Sequence, residues 1–351
     1  MKINITSSLN ELENLKKDWS QLSSQKINSQ DYYLSYNWLH ALISSSQNPP
    51  DRLYIISVYD NQTLIAVLPL CINTRKKRGI TLKSLEFIGN IYSPLRGGTY
   101  LSDKEPELAA NIVRFLFIHK KNEWDVINFS DLSEKDPLTN LIIKEVHAKN
   151  NKSIQSEPFS NILSNLKPHP NSEAYFKSLS KKLRQTIRTG INRANKDFDL
   201  SISLIDNPNQ NIDLAMDQYY EIYNESWKVS EEDPDFHRKL AHHLVKQGKL
   251  KLFILYSHAK SESTQSQLCW DSEIHSSGPE ETNGTPIAAI FMITHQETAY
   301  YLKTSYKQSH SKYSTGMILF WHAVKYLMDK ENIRIIDHQK GADPYKFKWG
   351  V

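Results

Sequence analysis

Apolar residues form an unbroken run near the C-terminus, from Ile287 to Ile293, between Pro286 and Thr294. A continuous run of this length is typical of a strand that is buried on both faces. After a short polar triplet, residues 298–306 are rich in Tyr and Thr, which favour strands. Two such runs separated by a few residues predict a β-hairpin.

A polar segment, 308–316, follows the predicted hairpin and separates it from a helical pattern. From Met317 onwards, apolar residues recur at the spacing of one helix face. Another strand is predicted at 333–337, and an aromatic and basic ending, HQKGADPYKFKW, occupies 338–349. The C-terminal elements therefore run strand, strand, polar segment, helix and strand.

The start of this helix is a candidate anion site. Unpaired N–H groups and the helix dipole attract phosphates to a helix N-terminus. A lysine would add positive charge there, and a glycine would let the backbone approach a ligand closely. The alternative is that the Ser-Thr-Gly sequence only caps a core helix, because neither common glycine-rich phosphate motif is present. The candidate cofactor-binding residues of this segment are Lys312, Tyr313, Ser314, Thr315 and Gly316.

The first part of the chain also alternates between predicted strands and helices. Strands are predicted at 53–58, 64–71, 82–88 and 124–129, and helices at 9–22, 36–42, 108–118 and 138–147. Residues 150–172 are rich in Asn, Ser and Pro, a composition that is typical of a junction. Since 351 residues are also many for one compact core, we predict two domains, 1–165 and 166–351.

A strongly basic helix is predicted at 178–196. Apolar residues recur at every fourth position, and no acidic residue occurs before Asp197. Such a helix indicates an anionic partner: cofactor phosphates, a diphosphate-linked sugar, a polyanion or RNA. The alternative is an ordinary amphipathic helix whose basic face is solvated. The candidate substrate-binding residues on this helix are Lys181, Arg184 and Arg188.

A long polar segment, 258–284, interrupts the second predicted domain. The pattern predicts strands on both sides of it, at 250–256 and 287–293, which a short connection would ordinarily join. We interpret the segment as a flexible insertion.

Composition narrows the class of protein. Charged residues make up 23% and hydrophobic residues 39%, as in a globular protein, and the net charge of +4 does not indicate a DNA partner. No apolar run approaches the roughly 20 residues of a membrane span, and the N-terminus lacks the apolar core of a signal peptide. We therefore expect a cytoplasmic location. Only Cys71 and Cys269 occur, and no Cys or His spacing fits a metal site, so we expect no metal.

The C-terminal order of elements resembles the acyl-CoA-binding half of a GNAT-type acyltransferase. The run PIAAIFMI, the pair Tyr300-Tyr301 and the ending from Asp337 through Gly341 to Trp349 resemble one branch in particular. That branch contains the CelD-like acetyltransferases of bacterial polysaccharide biosynthesis, with the Fem-type peptidoglycan aminoacyl transferases as distant relatives. The polar loop departs from the usual GNAT pattern, Gln/Arg-x-x-Gly-x-Gly/Ala, because only Gly316 is retained.

The resemblance implies an α/β (α+β) fold of two GNAT-like domains in tandem, with mixed central sheets flanked by helices. The first domain would be degenerate, and the second would bind acetyl-CoA or another acyl-CoA as co-substrate. The implied reaction is N- or O-acyl transfer to a sugar, amino sugar or cell-envelope precursor. The resemblance also assigns the thioester to the backbone N–H groups of Phe291, Met292 and Ile293, and it places Trp227 on the acceptor side, where simple packing is the alternative. Tyr301 is a further candidate substrate-binding residue.

Acyl transfer needs aligned reactants, a proton acceptor and stabilisation of the charged carbonyl oxygen. No serine or cysteine nucleophile motif is present, which favours direct attack. Asp337 ends a predicted strand and is the candidate base; otherwise it caps a turn or pairs with a lysine. The alternation in YKFKW would place Lys346 and Lys348 on one face, where they could meet an anion, unless Lys346 pairs with an aspartate. The candidate catalytic residues are Asp337, Tyr345, Lys346 and Lys348.

Two other functions stay open. A Fem-like enzyme that takes an aminoacyl group from tRNA would use the basic helix 178–196, although no heptad pattern predicts a coiled-coil arm. A non-catalytic GNAT-fold module in polysaccharide synthesis would explain the missing loop glycines. In each case we expect a protein without a transmembrane segment that works at the periphery of an envelope-biosynthesis complex.

Overall fold

The computed structural model describes residues 1–77, 79–149, 153–154, 160–231, 233, 235–260, 268–274, 278–279, 282–341 and 343–350. The chain divides into two compact units, Met1–Pro158 and Phe159–Val351, and each contains a six-stranded sheet. The boundary predicted from the sequence lay after residue 165. The difference arises because residues 161–165 form a strand that pairs within the second sheet.

The first unit packs its helices on a mixed sheet. Its elements are β1 (Lys2–Thr6), α1 (Leu9–Ser23), α2 (Tyr36–Ser45), β2 (Arg52–Asp60), β3 (Thr63–Lys77), β4 (Ile80–Phe87), β5 (Thr99–Tyr100), α3 (Glu105–Arg114), β6 (Val126–Asn128) and α4 (Pro137–Ala148). The strand order is β1-β2-β3-β4-β6, with β5 paired to β3, and only the β4–β6 pair is parallel among these described strands. Leu108 and Ile112 of α3 and Leu138 of α4 pack with sheet residues in its core.

The second unit contains the segments that the sequence analysis singled out. Its elements are β7 (Asn161–Asn165), α5 (Ser172–Ser178), α6 (Lys181–Asp197), β8 (Asp199–Ile205), α7 (Ile212–Asn224), α8 (Phe236–Lys246), β9 (Leu250–His258), β10 (Thr285–His295), β11 (Thr298–Tyr306), α9 (Thr315–Lys330) and β12 (Ile335–Lys340). The strand order is β7-β12-β11-β10-β9-β8. Only β11 and β12 pair in parallel among these described strands. The predicted β10–β11 hairpin is confirmed.

Helices cover both faces of the second sheet. On one, which we call the α9 face, Met292 and Tyr301 pack with α9, which is buried nearly all round. On the other, which we call the α7 face, Phe291 contacts Tyr219 of α7 and His237 of α8 at ring-centroid distances of 6.3 and 5.8 Å. The alternation of β10 side chains between two covered faces explains why its apolar run is continuous.

The predicted insertion 258–284 lies partly outside the described residues. In its described part, Leu268 and Ile274 join the core of the second unit. The Trp270 carbonyl accepts a hydrogen bond from Nε1 of Trp321 in α9, at 2.6 Å. These described residues are therefore packed against the unit rather than solvated.

None of the helices in the described part of the chain has the length and apolarity that crossing a membrane requires.

Candidate active site

The two parallel strands of the second sheet separate after a short stretch of pairing. Their register runs only from Thr298↔Ile335 to Tyr300↔Asp337, although β11 continues to Tyr306. Beyond Asp337, Gln339 adopts a left-handed conformation with φ +60°, and the register of β12 with β7 shifts. Over the fully described length of both strands, the rest of β11 therefore has no partner in β12.

The unpaired edge of β11 carries backbone groups that face the gap. Lys307 N donates to Ile287 O at 2.9 Å, which fixes the phase of hydrogen bonding with β10. Because antiparallel pairs alternate, the peptide groups of Thr304 and Tyr306 face the β12 side instead. They could hydrogen-bond an extended ligand.

This geometry corrects the assignment of the thioester to Phe291, Met292 and Ile293. These residues lie in β10, which pairs with β9 on one side and β11 on the other. Their backbone groups are committed to the sheet and cannot bind a ligand. The sequence showed a buried strand but did not show which strand has a free edge.

The helix that begins beside β11 has an open N-terminus. The segment Gln308–Tyr313 forms a 3₁₀ turn, Ser314 is left-handed at φ +58°, and no side chain caps α9. Thr315 is completely buried, and its Oγ1 has no hydrogen-bond partner among the described residues. Ser314 and Gly316 are partly exposed. The N–H groups of Met317 and Ile318 donate to the Ser314 carbonyl, which leaves the N–H groups of Thr315 and Gly316, together with this hydroxyl, for an anion.

The 308–314 loop is held in place from two sides. On one side, Tyr313 donates its hydroxyl hydrogen to Asp197 at the end of α6. The exposed ammonium of Lys312 also lies 3.7 Å from Asp197. A Cβ added to Gly190 of α6 would lie 2.3 Å from the Tyr313 carbonyl oxygen, so only glycine allows this contact. On the other side, the Gln308 N–H donates to the Glu225 carbonyl at 3.2 Å.

The three predicted basic residues of α6 do not surround the loop. Lys181 is exposed in the first helical turn, about 13 Å along the axis from Gly190. Arg184 has a buried Nε without a hydrogen-bond partner among the described residues. Arg188 stacks on Phe176 and Trp270, at 5.3 and 5.2 Å from the ring centroids. The structure thus separates this basic surface from the start of α9.

The C-terminal YKFKW sequence is helical, and the predicted extended stretch is wrong. Residues Lys346–Trp349 form a 3₁₀ turn, which buries Lys346 together with Trp349 and leaves Lys348 exposed. The Lys346 ammonium donates to the carbonyls of Lys340 and Gly341, at 2.5 and 3.2 Å, and lies 3.4 Å from Asp343. Lys346 therefore closes the turn after β12.

Aromatic packing fixes this C-terminal turn. Trp349 lies 4.5 Å from the ring of Phe320, and its carbonyl accepts a hydrogen bond from Tyr175 at 2.7 Å. Tyr345 is partly buried against the core, where burial and Asp343 raise its pKa to about 12. Tyr301, a predicted substrate-binding residue, is also buried, with its ring 4.8 Å from Phe320.

Asp337 lies where the two strands separate. It is buried, and its Oδ1 accepts the Gln339 N–H at 2.7 Å, so it stabilises the turn that takes β12 away. The next residue, His338, contacts Tyr301 on the α9 face, at 5.8 Å between ring centroids. Because side chains alternate along a strand, Asp337 lies on the α7 face. The structure therefore shows Asp337 capping the turn, as the alternative interpretation predicted. Its role as the catalytic base is a proposal.

A cluster of charged and aromatic residues near the C-terminal end of β11 was not predicted from the sequence, apart from Trp227. Tyr306 lies opposite Ala288 on the α9 face, and Trp227 packs on its ring with the centroids 4.5 Å apart. Beside it lie Lys228 and a buried ion pair between Lys303 and Glu231, with Nζ and Oε1 2.5 Å apart. A lysine within the buried, Tyr-rich strand β11 was the signal that could have revealed this cluster.

A family model identifies the second unit. Residues 181–275 and 281–347 match the model described as Acetyltransferase (GNAT) domain. The match covers most of the second unit. The protein is accordingly a GNAT-fold transferase of acyl groups. Among the described residues, no group of three or more His, Cys, Asp and Glu side chains could hold a metal ion.

Solved structures share the fold of the GNAT-fold transferase over nearly its whole length. FemX is 12% identical, with a TM-score of 0.59 over 100% of this chain and 94% of FemX. A conserved protein of unknown function from Bacteroides thetaiotaomicron VPI-5482 is 14% identical, with a TM-score of 0.53 over 99% and 95% of the two chains. A tandem GNAT protein from the clavulanic acid biosynthesis pathway, solved without AcCoA, is 10% identical, with a TM-score of 0.50 over 98% and 92%.

These similarities confirm the predicted α/β fold with GNAT-like domains in tandem. A search of the curated proteins found no match.

Proposed function

We propose that this protein transfers an acyl group, acetyl in the first case, from acyl-CoA to a nitrogen or oxygen of a sugar, amino sugar or cell-envelope precursor. One observation carries the proposal. The free edge of β11 lies beside the open N-terminus of α9, so one extended ligand with a diphosphate could contact both. The residues present fit acyl-CoA, whose diphosphate and amide groups need these two kinds of donor.

Each part of the site would bind a different part of the donor. The first N–H groups of α9 and the buried hydroxyl of Thr315 would hold the diphosphate. The peptide groups of Thr304 and Tyr306 would hydrogen-bond the amides of the pantetheine arm, as an added strand does. The thioester would then lie near Asp337, where the parallel strands separate.

In the proposed reaction the acceptor attacks the thioester directly. Its nitrogen or oxygen forms a bond to the carbonyl carbon, the carbon–sulfur bond breaks, and Asp337 takes the acceptor's proton. Tyr345 is the proposed proton donor to the leaving thiolate, since a phenol with a pKa of about 12 remains protonated at neutral pH. Lys346 would act as a positioning residue, because its ammonium is already bound to the turn after β12.

The variant Asp337→Asn tests this assignment. We expect kcat to fall by about 10²-fold or more, the usual contribution of general-base catalysis, while KM for acetyl-CoA changes little. Release of CoA thiol would be measured with acetyl-CoA and glucosamine as the acceptor probe. Asp103→Asn, which removes an exposed carboxylate of the first unit, is the matched control. Turnover by Asp337→Asn at the wild-type rate would exclude this residue as the base.

A tRNA-dependent, Fem-like transfer is a second candidate, favoured by the exposed basic side chains of α6 such as Lys181. The two candidates differ in their response to RNase. Transfer from acetyl-CoA should be insensitive to it, whereas aminoacyl transfer from tRNA would be abolished. For either reaction we propose a cytoplasmic protein that acts in polysaccharide or envelope synthesis, as the CelD-like resemblance implies. No heat on titration with acetyl-CoA, together with no aminoacyl transfer, would instead support a non-catalytic module.

A further inference from the structure

An exposed aromatic surface adjoins the proposed donor site. The side chain of Trp227 is 50% exposed, although its ring packs 4.5 Å from that of Tyr306. Tyr306 in turn borders the start of α9, because a Cβ added to Gly316 would lie 3.1 Å from Tyr306 Cδ1. The indole of Trp227 is therefore one aromatic ring away from the helix terminus.

Lys228 lies beside this indole and is half-buried. Its Nζ is 5.6 Å from the ring centroid of Tyr223 and 5.8 Å from that of Trp227. Both distances are within the range in which an aromatic ring attracts a cation. The ammonium is thus held in a defined place between α7 and the exposed indole.

Lys228 differs from the other lysines of this surface in its partners. Lys303 pairs with Glu231, and Lys307 pairs with Glu221 and Glu225 at 2.5 and 2.9 Å. Among the described residues, no carboxylate lies within ion-pair distance of Lys228. A half-buried ammonium without a counter-ion is unfavourable, and an anion from outside would relieve the cost.

The electrostatics around Lys228 agree with this geometry. The charged groups that act on it are Lys303 from β11, Glu231 from the segment after α7 and Asp343 from the turn after β12, while Tyr223 faces it from α7. Burial, followed by the charge of Lys303, lowers the pKa of Lys228 to about 8. The two carboxylates only partly compensate for these effects.

Building on the proposed acyl transfer, we propose that Lys228 and Trp227 form the acceptor subsite and that the acceptor carries a carboxylate or phosphate. The anionic group would pair with the Lys228 ammonium, and the ring that bears it would lie on the exposed face of Trp227. An acidic sugar or a sugar phosphate has this combination of a ring and an adjacent anion. The subsite would select among acceptors before any chemistry occurs.

Calorimetric titration with three matched sugars tests the proposal. Glucose, glucuronate and glucose 6-phosphate would be titrated at low ionic strength into the wild type and the variants Lys228→Arg, Lys228→Gln and Lys246→Gln. Lys246 is an exposed lysine at the far end of α8, about 15 Å along the helix from its start, so its variant removes equal charge elsewhere. Thermal melts would establish that each variant is folded.

We expect at least one anionic sugar to bind wild type about tenfold more tightly than glucose, as one charge-assisted hydrogen bond allows. The preference should persist in Lys228→Arg and Lys246→Gln and disappear in Lys228→Gln. Whichever of glucuronate and glucose 6-phosphate binds more tightly identifies the anionic group. Because only the charged ammonium attracts an anion, wild-type affinity for glucuronate should fall as the pH rises through about 8, whereas that of Lys228→Arg should not.

Two results would overturn the proposal: equal or undetectable binding of all three sugars by the wild type, or an anion preference that survives in Lys228→Gln. A separate titration with acetyl-CoA keeps the proposed function distinct. If acetyl-CoA does not bind, the proposed acyl donor is excluded, and the sugar titrations still test the acceptor subsite. If acetyl-CoA binds but the anionic sugars are not preferred, only the proposed acceptor subsite is excluded.

Discussion

Replacement of Gly190 by alanine should perturb the proposed diphosphate site through the loop that precedes α9. In an ordinary helix interior this change would stabilise by about 1 kcal/mol, because glycine is a poor helix former. Here the added Cβ would lie 2.3 Å from the Tyr313 carbonyl oxygen and 3.3 Å from Ile318 Cδ1. Carbon–oxygen contacts in proteins lie near 3.3 Å or beyond, so α6 and the loop must separate by about 1 Å.

The substitution has two opposing effects on stability, overpacking and a gain in helix propensity, but only the displacement of the loop affects the proposed donor site. Overpacking costs about 1–3 kcal/mol, which the gain in helix propensity partly offsets, so we expect a net loss of about 1 kcal/mol. In a unit of this size, that loss lowers Tm by about 2–4 °C. Displacement of the loop by about 1 Å misaligns the N–H groups at the start of α9, and we expect affinity for acetyl-CoA to fall about tenfold or more.

Calorimetric titration of Gly190→Ala with acetyl-CoA, together with a thermal melt, measures both effects. Asn192→Ala is the matched control, because it places alanine at an exposed position of the same helix. The control should retain wild-type affinity. Unchanged affinity of Gly190→Ala would show that the loop before α9 does not position the donor.

Two further predictions concern stability. Lys307→Met should lower the free energy of unfolding by about 1–2 kcal/mol in denaturant melts, because it leaves Glu221 and Glu225 without a buried partner; a stability equal to the wild type would contradict this. Burial and the charge of Lys346 lower the pKa of His338 to about 4, below the usual value near 6.5, so folding favours its neutral form. The free energy of unfolding should therefore not depend on His338 above about pH 6.5. It should decrease by about 3 kcal/mol as the pH falls towards 4, because the folded state resists protonation of this imidazole. His338→Gln should reduce this dependence in melts over that range, and an unaltered pH profile would count against it.

Elements with strong local signals could be predicted from the sequence. The run 287–293, the Tyr-rich strand after it and the spacing of apolar residues from Met317 define β10, β11 and α9 because each pattern reports its own burial. Their order was sufficient to indicate the fold and the helix terminus. Local patterns do not, however, specify pairing partners. The free edge lies on β11 because β12 leaves it to pair with β7, which is far away in the sequence.

Tertiary contacts decided the features that the sequence analysis missed. The alternation in YKFKW suggested an extended stretch, but packing of Trp349 against Phe320 and Tyr175 favours a 3₁₀ turn that separates Lys346 from Lys348. From helix propensity alone, Gly190 is expected to destabilise α6. The structure shows that it makes room for the Tyr313 carbonyl, which comes from a loop distant in the sequence.

The cluster around Lys228 also could not be predicted from local sequence patterns. Its members come from α7, from the segment that follows α7, from β11 and from the turn after β12. No spacing along the chain connects them.

In the proposed complex, the open N-terminus of α9 binds the diphosphate of an acyl-CoA beside the free edge of β11. Parallel calorimetric titrations with acetyl-CoA, CoA and pantetheine, which lacks the phosphates, test it most directly. Acetyl-CoA and CoA should bind measurably, and pantetheine should bind much more weakly. Absence of heat with acetyl-CoA, or pantetheine binding as tightly as CoA, would contradict it.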